Sequence, residues 1–229
     1  MLKSLAFRGI PSEIKGLRPL VWKVLLGYLP RETAKWENVM RSQKNVYDDL
    51  KVDLIVIPDM DNEENNNKNY DNDHPLSVKK KSLWNQYFQD NVIWQEIEKD
   101  IRRTRTDMQF FSDAFDDSQR DQKEQLKRQA EYKKSDLNGY FKEHYIFTHA
   151  DVMSRILFLY ARLNPGVMYV QGMNEILATI YYCFWQSSLQ YSEYFESDLF
   201  CCFTIVMSDL RDGFIRTMDS EETGINGRI

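Results

Sequence analysis

The chain contains 229 residues, of which 42% are hydrophobic and 14% aromatic, enough for one large domain with an apolar core. Its formal net charge of −5 argues against nonspecific binding to nucleic acid. The longest apolar candidate for a membrane span, residues 176–185, stops far short of the ~20 residues that a spanning helix needs, so we expect no integral membrane segment.

Glycine and proline are sparse, with nine and six residues, and the apolar residues recur at helical spacing. A loop at 8–16 precedes the first strong apolar segment. The predicted helices, in chain order, cover about 19–26, 31–55, 91–103, 149–163, 173–185 and 198–210. Thr148 is the predicted N-cap of the fourth, with Asp151 in its first turn. No segment alternates in polarity as a strand would, so the predicted fold class is all-α.

Two polar stretches interrupt this pattern. Residues 59–73 are rich in Asn, Asp and Glu, and residues 113–138 are charged and poor in large apolar groups. Both are predicted to be flexible insertions, with a fraying helix at 122–134 in the second. The last predicted helix, 198–210, is strongly apolar. Its apolar surface is expected to exceed what residues 1–197 can cover, and an exposed apolar patch predicts self-association.

Several classes of chemistry are excluded by missing motifs. Cys183, Cys201 and Cys202 lie in apolar surroundings without CxxC spacing, which is typical of reduced core residues in an intracellular protein. The three histidines are scattered and no HExxH string occurs, so we expect no metal site. Neither a phosphate-binding glycine loop nor a GxSxG elbow is present, so we expect no bound cofactor or nucleotide.

The first candidate site string is Ile97-Glu98-Lys99-Asp100-Ile101-Arg102-Arg103. Asp100 and Arg103 are three apart on a predicted helix, so their side chains are neighbours. Taken alone, the pair is a surface ion pair of little energetic value. Arg102 and Arg105 also prevent the spacing from selecting one arginine.

The second candidate string is Tyr169-Val170-Gln171-Gly172-Met173-Asn174, which follows the helix-breaking Asn164-Pro165-Gly166. Taken alone, it is an ordinary loop between helices with a packed tyrosine. A glutamine before a glycine at a helix start is nevertheless well placed to be held by rigid backbone. An arginine with an orienting carboxylate, together with such a glutamine, is what a GTPase site needs to be completed in trans.

Arg18 and Trp22, four apart, form a third pair that we interpret as structural. The indole is expected in the core, and the arginine is expected to be buried against a carboxylate that the sequence does not identify.

These strings together resemble the TBC domain family, whose members activate Rab GTPases. Arg8-Gly9-Ile10-Pro11 with Arg18 and Trp22 is similar to the family's first motif. Ile97, Asp100 and Arg103 match its IxxDxxR motif, and Tyr169 and Gln171 match its YxQ motif, in the family's order. The strings at 73–77, 84–90 and 155–166 resemble one subgroup of the family.

The resemblance implies that Arg103 is an arginine finger oriented by Asp100, and that Gln171 is a glutamine finger supported by Tyr169. It implies a cytoplasmic activator in vesicle trafficking, which reaches membranes through a GTP-bound Rab. The Rab supplies its own GTP and Mg²⁺.

Family members continue into a second helical half. We therefore expect residues 1–229 to be the N-terminal part of a TBC domain, with residues 220–229 as a tail outside the family pattern. One alternative is a truncated, non-catalytic helical module that binds a Rab or another protein, and a second is a helical scaffold with no link to a GTPase.

Overall fold

The computed structural model describes residues 2–11, 13–55, 83–112, 148–186, 193–210 and 214. Seven α-helices and two short 3₁₀ helices occupy these ranges. The α-helices are α1 (Leu2–Phe7), α2 (Leu17–Leu25), α3 (Trp36–Leu54), α4 (Leu83–Ile101), α5 (His149–Leu163), α6 (Met173–Gln186) and α7 (Phe195–Leu210). The 3₁₀ helices are Thr33–Lys35 and Gln109–Ser112. The predicted all-α class is confirmed.

Helix α5 is the centre of the packing. It contacts α3, α4, α6 and α7, and its side chains from Ile156 to Ala161 are all buried. Thr148 caps it as predicted: its hydroxyl accepts the Asp151 backbone N–H, and its own backbone N–H donates to the Asp151 carboxylate. The predicted bounds of 149–163 are confirmed.

Helix α4 differs from the prediction at both ends. It begins at Leu83 rather than at residue 91, and its first turns carry Trp84, Tyr87 and Phe88, whose rings contact one another in edge-on and tilted arrangements. It ends at Ile101 rather than at residue 103. Helix α1 was not predicted at all.

Helix α7 begins at Phe195, so the predicted start at Ser197 and Asp198 is wrong by about one turn. These two residues are buried inside the first turn instead of opening the helix. The Asp198 carboxylate accepts from the Lys23 ammonium and the Tyr28 hydroxyl, which are on and just after α2.

A second buried ionic cluster lies beside the first. Arg155 of α5 donates through two nitrogens to the Glu196 carboxylate, which also accepts from the Tyr47 hydroxyl at 2.6 Å. Burial raises the pKa of Glu196, but the Arg155 guanidinium, with smaller contributions from Lys51 and Tyr47, lowers it to about 2. The carboxylate is therefore ionised at neutral pH.

The prediction that α7 carries more apolar surface than its neighbours can cover is wrong. The helix packs against α3, α5 and α6, and these neighbours cover most of its apolar side chains. The residues buried in this way are Leu199, Phe200, Cys202, Phe203 and Met207, whereas Val206 is half-buried.

The predicted insertions at 59–73 and 113–138, the fraying helix at 122–134 and the tail at 220–229 lie outside the described residues. The cysteines at 183, 201 and 202 form no disulfide; Cys202 is buried, and the other two are half-buried. In the described ranges, no helix combines the length and apolar character that crossing a bilayer requires.

Candidate functional site

Arg103 lies on a turn directly after α4, not on the helix itself. This turn, residues 102–107, is called the Arg103 turn. The Arg103 backbone N–H donates to the Asp100 carbonyl at 3.0 Å, and the Thr104 N–H donates to the Ile101 carbonyl at 3.0 Å. The backbone is thus held by the last turn of α4, while the Arg103 side chain is exposed.

The three neighbouring arginines differ in their partners. Arg102 pairs with Glu98 one helical turn back, and Arg105 pairs with Glu175 of α6 at 3.2 Å. Arg103 forms no ion pair with any residue that the structure describes. It is therefore the arginine of this group with a guanidinium available to an external anion.

Gln171 lies on a loop between α5 and α6, residues 164–172, which is called the Gln171 loop. The Asn164 carbonyl accepts the backbone N–H groups of Val167 at 3.0 Å and Met168 at 2.7 Å. At the other end, Gly172 has a φ of +104°, a conformation that costs glycine little. The backbone around Gln171 is thus fixed on both sides, and the side chain is exposed.

A tyrosine joins the two segments. The Tyr169 hydroxyl donates to Oδ2 of Asp100 at 2.9 Å, so two residues that the sequence singled out are in direct contact. Burial, reinforced by the Asp100 carboxylate, raises the pKa of Tyr169 well above its usual range. The hydroxyl therefore stays protonated and remains a donor.

Asn174 is a second link, which the sequence did not assign. Its side-chain oxygen accepts the Gly172 backbone N–H at 3.0 Å and lies 3.3 Å from the Tyr169 hydroxyl. Its side-chain nitrogen donates to the Thr104 hydroxyl at 2.8 Å. Thr104 donates in turn to the Asp100 carbonyl at 2.9 Å. Asn174 and Thr104 are both buried, so this network is shielded from water.

Backbone strain is concentrated in the same two segments. Among the residues that the structure describes, the non-glycine residues with a left-handed backbone are Arg105, with a φ of +45°, and Met168, with a φ of +58°. One lies in the Arg103 turn and the other in the Gln171 loop. Strain of this kind persists only where the surrounding structure imposes it, and it clusters at functional sites.

The interpretation of Arg18 needs a correction. Its guanidinium is half-buried and donates to the Ile10 carbonyl at 3.3 Å, not to a carboxylate. The loop before α2 thus supplies a backbone acceptor where an acidic side chain was expected. Trp22 packs against the core as predicted, although it is only partly buried. Neither residue lies in the Arg103 turn or the Gln171 loop.

The site therefore presents one guanidinium, which has no acidic partner among the described residues, and one neutral amide, from two segments joined by hydrogen bonds. This arrangement can contribute charge and orientation to a reaction whose other components come from a partner. Within the described ranges, no group of three or more histidine, cysteine or acidic side chains is arranged to hold a metal ion.

Comparison with solved structures identifies the class of fold. The described helices match the crystal structure of the YPT/RAB-GAP domain of Gyp1p with a TM-score of 0.59. The match covers 94% of this chain and 53% of that chain, at 20% sequence identity. The fold is therefore that of an all-helical TBC domain.

Sequence comparison identifies the family. The family model of the Rab-GTPase-TBC domain matches residues 112–226. TBC1 domain family member 13 of Homo sapiens is 36% identical over the whole of this chain, and its Mus musculus counterpart is 35% identical. This chain belongs to the Rab-GTPase-TBC domain family.

The predicted resemblance to one subgroup is also confirmed by these relatives. The chain spans 66% of the length of each member 13 protein. A more distant relative, the GTPase-activating protein GYP1 of Saccharomyces cerevisiae, is 24% identical over 93% of this chain and 26% of its own length.

Proposed function

We propose that this chain activates GTP hydrolysis by a Rab-type small GTPase. Arg103 acts as the arginine finger and Gln171 as the glutamine finger, and Asp100 and Tyr169 position the segments on which they lie. The GTPase brings its own GTP and Mg²⁺, so the chain contributes only side chains to the reaction.

The observation that supports this proposal best is the hydrogen-bonded connection between the Arg103 turn and the Gln171 loop. Tyr169 bonds to Asp100, and Asn174 bonds to Thr104, across the two segments. A purely structural loop would not need two exposed polar side chains on backbones fixed to one another. Catalysis in trans does need such a pair of positioned side chains, because both groups must reach one phosphate together.

The chemistry suits each side chain. A guanidinium is charged at every physiological pH and has planar donors that can neutralise charge spreading over the transferred phosphoryl oxygens. A glutamine amide can donate to and accept from one water molecule, so it can orient the attacking water without acting as a base.

The proposed Rab partner also suggests where in the cell the chain works. We propose that the chain works in the cytoplasm and meets membranes through the Rab that it binds, as a regulator of vesicle trafficking.

Single-turnover GTP hydrolysis with a panel of GTP-loaded Rab proteins tests the proposal. We expect at least one Rab to be stimulated by the 229-residue chain, and the double variant Arg103→Ala/Gln171→Ala to bind that Rab without stimulating it. Binding by the wild-type chain without acceleration would instead support the non-catalytic binding module. Equal retention of GTP-loaded and GDP-loaded Rab proteins would count against both readings.

A further inference from the structure

Met168 occupies a backbone conformation that its residue type disfavours. Its φ of +58° lies in the left-handed region, where a Cβ atom crowds the backbone and glycine or asparagine is preferred. The conformation is imposed by the loop, because the Met168 and Val167 N–H groups both donate to the Asn164 carbonyl. Glycine at this position would close the same turn without strain.

The side chain of Met168 leaves a large part of its apolar surface open to solvent. It is 44% exposed, although it is a large apolar group. Arg105, the other strained residue, has an ionic partner, since its guanidinium pairs with Glu175. A strained residue whose large apolar side chain also remains partly exposed departs from two local rules at once, and such departures are expected at functional sites.

We infer that Met168 is an apolar contact for the GTP-bound GTPase, inside the same interface as Gln171. This inference rests on the proposed function. Met168 lies directly before Tyr169 and three residues before Gln171, on the same loop, and both Met168 and Gln171 are exposed. Methionine is enriched at protein interfaces, and its flexible thioether side chain adapts to an apolar partner surface.

The experiment compares Met168→Gly with Met168→Leu in the full chain. Glycine removes both the strain and the side chain, whereas leucine keeps the apolar bulk and the strain. For Met168→Gly we expect KM for the GTPase to rise about tenfold, a loss typical of a truncated interface anchor. We expect kcat to change less than twofold and the Tm to stay constant or rise. Met168→Leu should retain most of the wild-type affinity.

Val52→Ala is the matched control, since Val52 is 78% exposed on α3, a helix that packs against α5 and α7 and belongs to neither site segment. It should leave KM unchanged. If the wild-type chain stimulates the GTPase and Met168→Gly has the same KM, the proposed Met168 contact is overturned but the proposed function is not. A large fall in Tm for both Met168→Gly and Met168→Leu would overturn the contact too, because it would mean that the methionine serves the packing of the chain itself. A wild-type chain that stimulates no GTPase would overturn the proposed function and this contact with it.

Discussion

The side-chain nitrogen of Asn174 donates to the Thr104 hydroxyl at 2.8 Å, although the two residues are 70 positions apart in the chain. Asn174 belongs to the first turn of α6, directly after the Gln171 loop, and Thr104 belongs to the Arg103 turn. Because Asn174 also accepts the Gly172 N–H, one buried amide bonds to both segments. The two proposed fingers are therefore held as one unit.

Replacing Asn174 by alanine should damage catalysis more than binding. The Gly172 N–H and the Thr104 hydroxyl would each lose a partner, which should lower the free energy of unfolding by about 1–3 kcal/mol. We expect kcat for the stimulated reaction to fall at least about tenfold, since misplacement of reacting groups is costly. Asn38→Ala, at an exposed site on α3, is the control. A destabilised Asn174→Ala protein with normal kcat would restrict the residue to a structural role.

Arg103, rather than Arg102 or Arg105, should supply the transition-state charge. Arg103→Ala should lower stimulated hydrolysis by about 10³-fold or more while Rab binding largely survives. Arg103→Lys should fail as well, because an ammonium lacks the planar fork of donors. Arg102→Ala is the matched control, since it removes only the exposed pair with Glu98. The assignment is wrong if Arg102→Ala is equally damaging and Arg103→Lys is mild.

Gln171 should replace the catalytic glutamine of the GTPase. A Rab whose own switch glutamine is changed to leucine should then still be stimulated, and Gln171→Ala should abolish stimulation of both Rab forms. Phosphate release in single-turnover reactions measures this directly. If the leucine-mutant Rab is not stimulated while the wild-type Rab responds normally, the Rab uses its own glutamine and Gln171 is only a contact residue.

The Glu196 cluster should make stability depend on acid pH. The pKa of about 2 lies below the ordinary value of 4.5, so folding favours the ionised carboxylate. This stabilisation is complete above pH 4.5 and is lost as the pH falls through 2, a change of about 3 kcal/mol.

Chemical denaturation of the wild type and Glu196→Gln between pH 2 and 6 tests this dependence. The difference in unfolding free energy between the two proteins should shrink steadily as the pH falls. Asn38→Ala, which removes no ionisable group from an exposed site on α3, should give a profile parallel to that of the wild type. Parallel profiles for Glu196→Gln as well would refute the linkage.

The sequence predicted the ends of a helix well where residues next to those ends determine them. The Thr148 cap and the Asn164-Pro165-Gly166 breaker gave both ends of α5, because capping and termination depend on adjacent residues. The first turns of α4 were missed; they carry Trp84, Tyr87 and Phe88, whose aromatic rings contact one another.

Contacts between segments that are distant in the chain could not be predicted from a single sequence. The motif strings identified Asp100 and Tyr169 but not their hydrogen bond, and they gave Asn174 no role. The Arg18 partner was misassigned because a backbone carbonyl acceptor leaves no mark in the amino-acid pattern. The same limit applies to Met168, whose strain is a property of backbone geometry rather than residue type.

The two ionic clusters on α7 have a consequence for biosynthesis. Lys23 and Asp198 are 175 residues apart, and Tyr47 and Glu196 are 149 apart, so the partners of α2 and α3 leave the ribosome long after these helices do. At roughly 5–20 residues per second, the interval is roughly 7 to 35 seconds. During that interval the nascent N-terminal helices lack the acidic groups that complete their packing. This part of the chain is therefore expected to need chaperone protection until α7 has been translated.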